Sequence, residues 1–308
     1  MLIIGHRGCN YKGFNQNTIR AFKKVLDDGV KAIEFDVQNS SDGALPIVHN
    51  LDLALVSTGK GRVDESSSSY LRSIFAGKTE NGEDKIPFLK DVLELLSSYP
   101  EERRGVMHLE LKGVGTGNPS GLLLKEFIEK GKLRTEDFLI SSFNWKELQE
   151  IQSSCPDLNI ALLDGAIRRE ELLKQLPGVE SYFSELFAYG DEDYMLPRFK
   201  TIDENIELLE KLVPPGENRD GLKEEISRAL NGKYYNDELI ETALKMGAFS
   251  VNIWYQTVFQ SFIEKVHKAG LKVFLYTVNE EKDFLKVADM GVDGFFTDNY
   301  NSAYSALN

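Results

Sequence analysis

The 308-residue chain is predicted to be an α/β protein, a (β/α)8 TIM barrel with a helical insertion in its C-terminal half. Three observations lead to that class. Strand-like apolar runs alternate with amphipathic helical segments along most of the chain. The length suits one barrel domain spanning residues 1–308. Polar clusters also fall at the ends of several strands, and a barrel gathers its strand ends on one rim.

The first strand is Leu2 to Gly5, which delivers His6-Arg7-Gly8 at its end. A helix follows, capped by Asn17 or Thr18, with Ile19, Phe22 and Leu26 on one face and Gly29 as its stop. The next strand is Ile33-Glu34-Phe35-Asp36-Val37. Side chains alternate across a strand, so Glu34 and Asp36 leave the same face, about 7 Å apart. Two carboxylates in so apolar a run repel each other and resist desolvation unless a cation lies between them. A hard divalent ion, Mg²⁺ or Ca²⁺, suits such oxygens. A solvated edge strand is the plainer alternative.

After the turn signal Ser41-Asp42-Gly43, the segment Pro46-Ile47-Val48-His49 returns too soon for a helical crossover. An antiparallel hairpin is expected, with His49 near the row of Glu34. Residues 51–84 read mainly as loop. A helix from about Phe88 to Leu96 leads to a strand over Gly105 to Lys112, with His108, Glu110 and Lys112 on one face. Alternation continues through Phe138–Ser142, a helix from Trp145, Ile160–Leu163 and a helix from about Arg168. It resumes with Ser250–Trp254, a helix ending at Gly270, Lys272–Val278, a helix to Met290, and Gly294–Thr297. That makes nine strand candidates for eight places, the hairpin segment or the one at Ile160 being the surplus. Between about 190 and 246 the text turns acidic and helical around Pro214-Pro215-Gly216, the expected insertion.

A net charge of −13 argues against nucleic-acid binding and mildly against an anionic membrane surface. Two cysteines, Cys9 and Cys155, suggest no disulfide framework. No leader peptide and no bilayer-spanning window is evident, so a cytoplasmic protein without stable membrane insertion is expected, its oligomeric state open.

His6, Arg7, Glu34, Asp36, His49, Glu110 and Lys112 together form a kit for phosphodiester cleavage. Glu34, Asp36 and Glu110 suit a divalent ion. Arg7 and Lys112 suit phosphate charge. His6 and His49 suit acid and base. Trp254 and Tyr276 are candidates for an apolar wall against the substrate, or plain core. His108 reads as a neighbour of the carboxylates or a packed structural residue, His267 as a helix-end residue, and Asp298 as a rim or cap residue. Cys9 is not needed as a nucleophile.

In order, these residues resemble the glycerophosphodiester phosphodiesterase family. His-Arg matches His6-Arg7, Glu-x-Asp matches Glu34 to Asp36, and a second histidine matches His49. Glu-x-Lys matches Glu110 to Lys112, Ser-Phe matches Ser142-Phe143, and the closing segments match Thr277-Val278-Asn279 and Gly291 to Asp298. The likeness runs from Ile3 to Asp298 apart from 189–246. It implies a barrel related to phosphoinositide phospholipase C, a Mg²⁺ or Ca²⁺ site on Glu34, Asp36 and Glu110, and catalytic His6 and His49. It further implies hydrolysis of a small phosphodiester to an alcohol and glycerol 3-phosphate, commonly through a cyclic phosphate. The chain departs from the family pattern at Gln16, Asn50, Leu55 and Tyr276, where Glu, Asp, Arg and Trp are usual. Two rivals stay open: a phospholipase D-like lipid phosphodiesterase that stops at the cyclic phosphate, and a barrel that binds phosphodiesters without turnover.

Overall fold

Strands with buried side chains on both faces must be covered on both faces, and eight of them here close into a parallel barrel. A computed structural model describes the chain apart from residues 12, 78–83, 165–166, 169–171, 174, 189–193, 198–201, 231–236, 257 and 308. In chain order the strands begin with β1 (Leu2–Gly5), β2 (Ala32–Val37), β3 (Val106–Leu111), β4 (Phe138–Ser142) and β5 (Asn159–Asp164). Three short strands follow, β6 (Ile167–Arg168), β7 (Phe187–Ala188) and β8 (Tyr194–Pro197), which form a separate antiparallel sheet of order β6-β8-β7. The barrel is completed by β9 (Ser250–Trp254), β10 (Lys272–Tyr276) and β11 (Gly294–Thr297). Its strands run around the ring as β1-β11-β10-β9-β5-β4-β3-β2, and pairs from Leu2↔Gly294 to Gly5↔Thr297 close it.

Alternation sorts the strand residues into two cores. Ile33, Phe35 and Val37 point outward and join Phe22, Leu26, Val92 and Leu96 of the surrounding helices in the main apolar cluster. Ile4, Ala32, Leu139, Ala161, Phe274 and Phe296 fill the barrel's interior. Helix Ile19–Asp27 begins where Thr18 Oγ1 accepts from Ala21 N at 3.1 Å, so Thr18 rather than Asn17 is its cap. Asn17 is thereby left for another role.

Two expectations are revised. The segment at Ile160 is a barrel strand, so Pro46–His49 is the surplus. It returns against β2 as the expected antiparallel hairpin, through the bridge Val37↔Ile47 and a bond from Gln38 N to Pro46 O at 3.0 Å, while Pro46 also bridges Phe88 on its other side. Val48 N donates to Asp36 O at 3.1 Å, which carries His49 to Asp36 rather than to Glu34. Ile167–Arg168 is a strand, and the helix expected from about Arg168 starts later, with 172, 173 and 175 helical among the described residues.

Residues 51–77 hold two short helices, Leu53–Val56 and Ser68–Ser73, capped by Asp52 and Ser67. Leu53, Val63, Leu71 and Ile74 from this excursion form a satellite cluster with Val48, Ile86 and Phe88. The segment expected to be helical carries helices Ile202–Leu212 and Glu217–Leu230 and the strand β8, whose partners β6 and β7 lie before residue 190, so the excursion from the barrel begins earlier than expected. Leu172, Phe183, Leu209, Leu222 and Ile226 give it a cluster of its own. Helix Asp237–Lys245 instead places Leu239, Ile240 and Ala243 in the main barrel cluster. Among the described residues no helix is long and apolar enough to cross a membrane.

Candidate active site

The site grows from β2 and β3, which pair in register with Glu34 opposite His108 and Asp36 opposite Glu110. All four side chains therefore face the barrel axis, and the two carboxylates nearest the rim meet side by side. Glu34, Asp36 and Glu110 each offer an oxygen within 4.8 Å of the others'.

The loop after β1 supplies the next layer. Arg7 has φ +54, a left-handed conformation unusual outside glycine, and its N–H donates to Glu34 Oε2 at 2.7 Å. Gly8 continues the turn at φ +80, where a Cβ would lie 2.9 Å from Phe22, so a side chain is excluded there. Arg7 Nη1 donates to Gln16 Oε1 at 2.8 Å, and its Nε lies 3.5 Å from Asp36 Oδ2. Asn17 Nδ2 donates to Asp36 Oδ2 at 2.7 Å. Lys112, just past β3, donates to Glu110 Oε1 at 2.9 Å and stands 3.8 Å from Asp36 Oδ1.

His6 reaches the site from β1, with Nε2 4.0 Å from Glu34 Oε2. Its Nδ1 lies 2.8 Å from Asp298 Oδ1, just past β11. Asn279 Nδ2 donates to the other oxygen of Asp298 at 2.6 Å, and Asn10 Nδ2 adds a bond of 3.3 Å. His49 Nδ1 lies 3.0 Å from Asn50 Oδ1, while Gln38 Nε2 holds the His49 carbonyl at 3.0 Å.

Trp254 and Tyr276 are register partners at the ends of β9 and β10, across the ring from β2 and β3. The Tyr276 hydroxyl donates to Asp164 O at 2.7 Å, and its ring meets Phe143 edge-on at 5.9 Å. The seven polar candidates thus converge on one side of the mouth, with the two aromatic ones opposite. Asp298, Asn17 and Asn279 complete the site without having been assigned to it. Their signal lay in motifs read only as family marks, and amides announce no chemistry until their partners are known.

Electrostatics follow the burial. Desolvation, then the charges of Asp36 and Glu110, push Glu34 well above the usual carboxylate range. Burial also disfavours charge on Asp36, but His49, Arg7, Lys112 and the Asn17 bond outweigh it and hold Asp36 low. Burial, Arg7 and Lys112 push His49 down toward its neutral form. Burial raises Asp298, but His6 and Asn279 more than reverse it, so that carboxylate stays ionised.

The donor set fits a hard divalent cation. Glu34 Oε1 and Asp36 Oδ1 are buried oxygens without a hydrogen-bond partner, an arrangement that is costly unless something else satisfies them.

A model of the glycerophosphoryl diester phosphodiesterase family matches residues 6–213 and 219–302. The chain belongs to this family. As a member of the glycerophosphoryl diester phosphodiesterases it is a phosphoric diester hydrolase. The match extends through most of 190–246, where the motif likeness alone breaks off. A glycerophosphodiester phosphodiesterase of Caldanaerobacter subterraneus subsp. tengcongensis is 25% identical over 308 residues, covering 96% of this chain and 93% of its own. One of Bacillus altitudinis is 31% identical over 183 residues, or 57% and 72% of the two chains. The solved structure of an Oleispira antarctica phosphodiesterase in complex with the product sn-glycerol-3-phosphate shares the fold. Its TM-score is 0.69 at 20% identity, covering 100% of this chain and 96% of that one.

One buried group of this phosphodiesterase lies below the carboxylates. His108 is fully buried between the ring edges of Phe274 and Phe296, at 5.2 and 5.1 Å, and neither ring nitrogen has a hydrogen-bond partner. It is a packed residue rather than a partner of the carboxylates. Burial pushes it down from 6.5 to about 3. The folded value is depressed, so the stability it allows is whole above about pH 6.5 and is lost as pH falls toward 3. Wild type is expected to lose about 2 kcal/mol more than a His108→Leu variant between pH 7 and pH 5. Urea unfolding at both pH values checks this, and equal losses in the two proteins would remove His108 from the account.

Proposed function

We propose that the protein hydrolyses a small glycerophosphodiester to an alcohol and glycerol 3-phosphate, using a divalent ion, Mg²⁺ or Ca²⁺, held by Glu34, Asp36 and Glu110. The supporting observation is three carboxylates close enough to share one ion, two of them with buried oxygens lacking partners, ringed by two imidazoles and two cations. When bound, the ion supplies a Lewis acid that neutralises a phosphoryl oxygen. Arg7 and Lys112 take the remaining phosphate charge, the guanidinium fork gripping two oxygens.

His6 and His49 move the protons. An ionised Asp298 only accepts, so it fixes the His6 proton on Nδ1 and turns Nε2 toward the reacting group. Asn50 Oδ1 does the same for His49 through its Nδ1. One imidazole takes the proton of the neighbouring glycerol hydroxyl as it attacks phosphorus and the other gives one to the departing alcohol; with the proton roles reversed, water then opens the cyclic phosphate to glycerol 3-phosphate. Trp254 and Tyr276 form the facing wall for the substrate's organic part.

The test is release of glycerol 3-phosphate from glycerophosphocholine or glycerophosphoethanolamine, followed by phosphorus NMR. Release is expected with Mg²⁺ or Ca²⁺ and is expected to stop with a chelator. A cyclic phosphate that persists would turn the reading toward the lipid-cleaving rival. Binding with no release at any metal would leave a phosphodiester-binding barrel.

A further inference from the structure

Three consecutive amides in the loop before the first helix each hold a different partner. Asn15 Nδ2 donates to Asp84 Oδ2 at 3.0 Å, Gln16 Oε1 accepts from Arg7 Nη1 at 2.8 Å, and Asn17 Nδ2 donates to Asp36 Oδ2 at 2.7 Å. The outer anchor is firm, because Asp84 also receives Arg20 Nε at 2.9 Å and Nη2 at 2.7 Å. At the inner end Asn17 N donates to Arg7 O at 2.9 Å. Gln16 is thus pinned on both sides, and its carbonyl is aimed at Arg7 by the chain rather than by chance rotation.

Arg7 is the cation nearest the Glu34 and Asp36 pair on the loop side, yet its side chain makes its hydrogen bond to a neutral amide. Its Nε–H has no hydrogen-bond partner and remains 3.5 Å from Asp36 Oδ2. A carboxylate at position 16 would add a negative charge beside Asp36 and would compete with phosphate for the guanidinium through a charge-assisted bond.

We infer that Gln16 is a specificity-determining residue: by offering Arg7 a neutral acceptor it leaves the guanidinium's charge to phosphate, and so sets how strongly the site prefers a dianionic phosphomonoester over a monoanionic phosphodiester. This rests on the reading that Arg7 takes phosphate charge. The preference has a consequence for turnover, since the dianionic product is held more tightly than the diester it came from. Release of glycerol 3-phosphate then competes with binding of the next substrate.

Two variants separate charge from structure. Gln16→Glu adds a charge at almost constant shape, and Gln16→Met removes the acceptor without adding a charge. In Gln16→Glu the KM for glycerophosphoethanolamine should rise roughly tenfold and the inhibition constant of sn-glycerol 3-phosphate roughly a hundredfold, about one factor of ten per ligand charge. In Gln16→Met both should shift by the same factor. Calorimetry of sn-glycerol 3-phosphate binding to the Mg²⁺-loaded proteins at pH 8 gives the dianion affinity without turnover. It reads Gln16 even if wild type hydrolyses no glycerophosphodiester, an outcome that sinks the proposed function alone. Equal shifts of diester and monoester in Gln16→Glu, or a dianion affinity no weaker in Gln16→Glu than in Gln16→Met, would overturn the inference.

Discussion

Alanine in place of Asp36 is expected to lower turnover about a thousandfold and to weaken binding of Mg²⁺ or Ca²⁺. A cation polarising a phosphoryl oxygen contributes several kcal/mol, and each 1.4 kcal/mol is about a factor of ten in rate. Asp36 is 0% exposed and joins the carboxylates to both cations and to Asn17. It accepts from Asn17, stands 3.5 Å from Arg7 Nε and 3.8 Å from Lys112 Nζ, and contributes one of the three candidate ligand oxygens. Its removal leaves two partly desolvated cations without their common counter-charge, so stability should fall as well, by about 3 kcal/mol. Calorimetry of the metal resolves the two effects. An unchanged metal affinity in a folded Asp36→Ala protein would show that the ion, if there is one, is held elsewhere.

His49→Ala has the next largest expected effect, a fall of about a hundredfold to ten-thousandfold in kcat, with a loss of stability of no more than about 1 kcal/mol. The asymmetry has a structural cause. The imidazole contacts Asn50 through Nδ1, and the bond that secures this segment, from Gln38, goes to the His49 carbonyl and survives the substitution. His6→Ala is different in kind, because it strips a half-buried carboxylate, Asp298, of its imidazole partner. Turnover at the wild-type level in His49→Ala would exclude this residue from proton transfer, and thermal unfolding of the same sample shows whether the fold is intact.

The barrel was legible because its strands obey one rule, a short run buried on both faces, and its helices another, a face repeated every three to four residues. Phe138–Ser142 and Gly294–Thr297 follow the first rule closely enough for their bounds to be read correctly. Pro46–His49 looked like a strand for the same reason and does return against the end of β2, but it lies outside the ring, and no local pattern reveals that. Helices Leu53–Val56 and Ser68–Ser73 span four and six residues, too few to show a period. The two-residue strands β6 and β7 offer no alternation at all.

In the site the charged residues were legible and their supports were not. Two acids in a buried strand are an energetic anomaly visible in the text, whereas Asn17, Asn279 and Asp298 look like ordinary caps until the chain brings their partners to them. Gln16 lies between these cases. Its departure from the family pattern was plain, but its contact with Arg7 appears only in three dimensions.

The pairing of β1 with β11 has a consequence for when the molecule gains its chemistry. His6 follows the first barrel strand, but the carboxylate bonded to its Nδ1 lies 292 positions later in the chain. While the chain is still being synthesised, the acids of β2 and β3 can assemble beside an imidazole that has nothing to fix its tautomer. On the proposed mechanism, proton transfer by His6 thus awaits β11, whose end brings Asp298 to it.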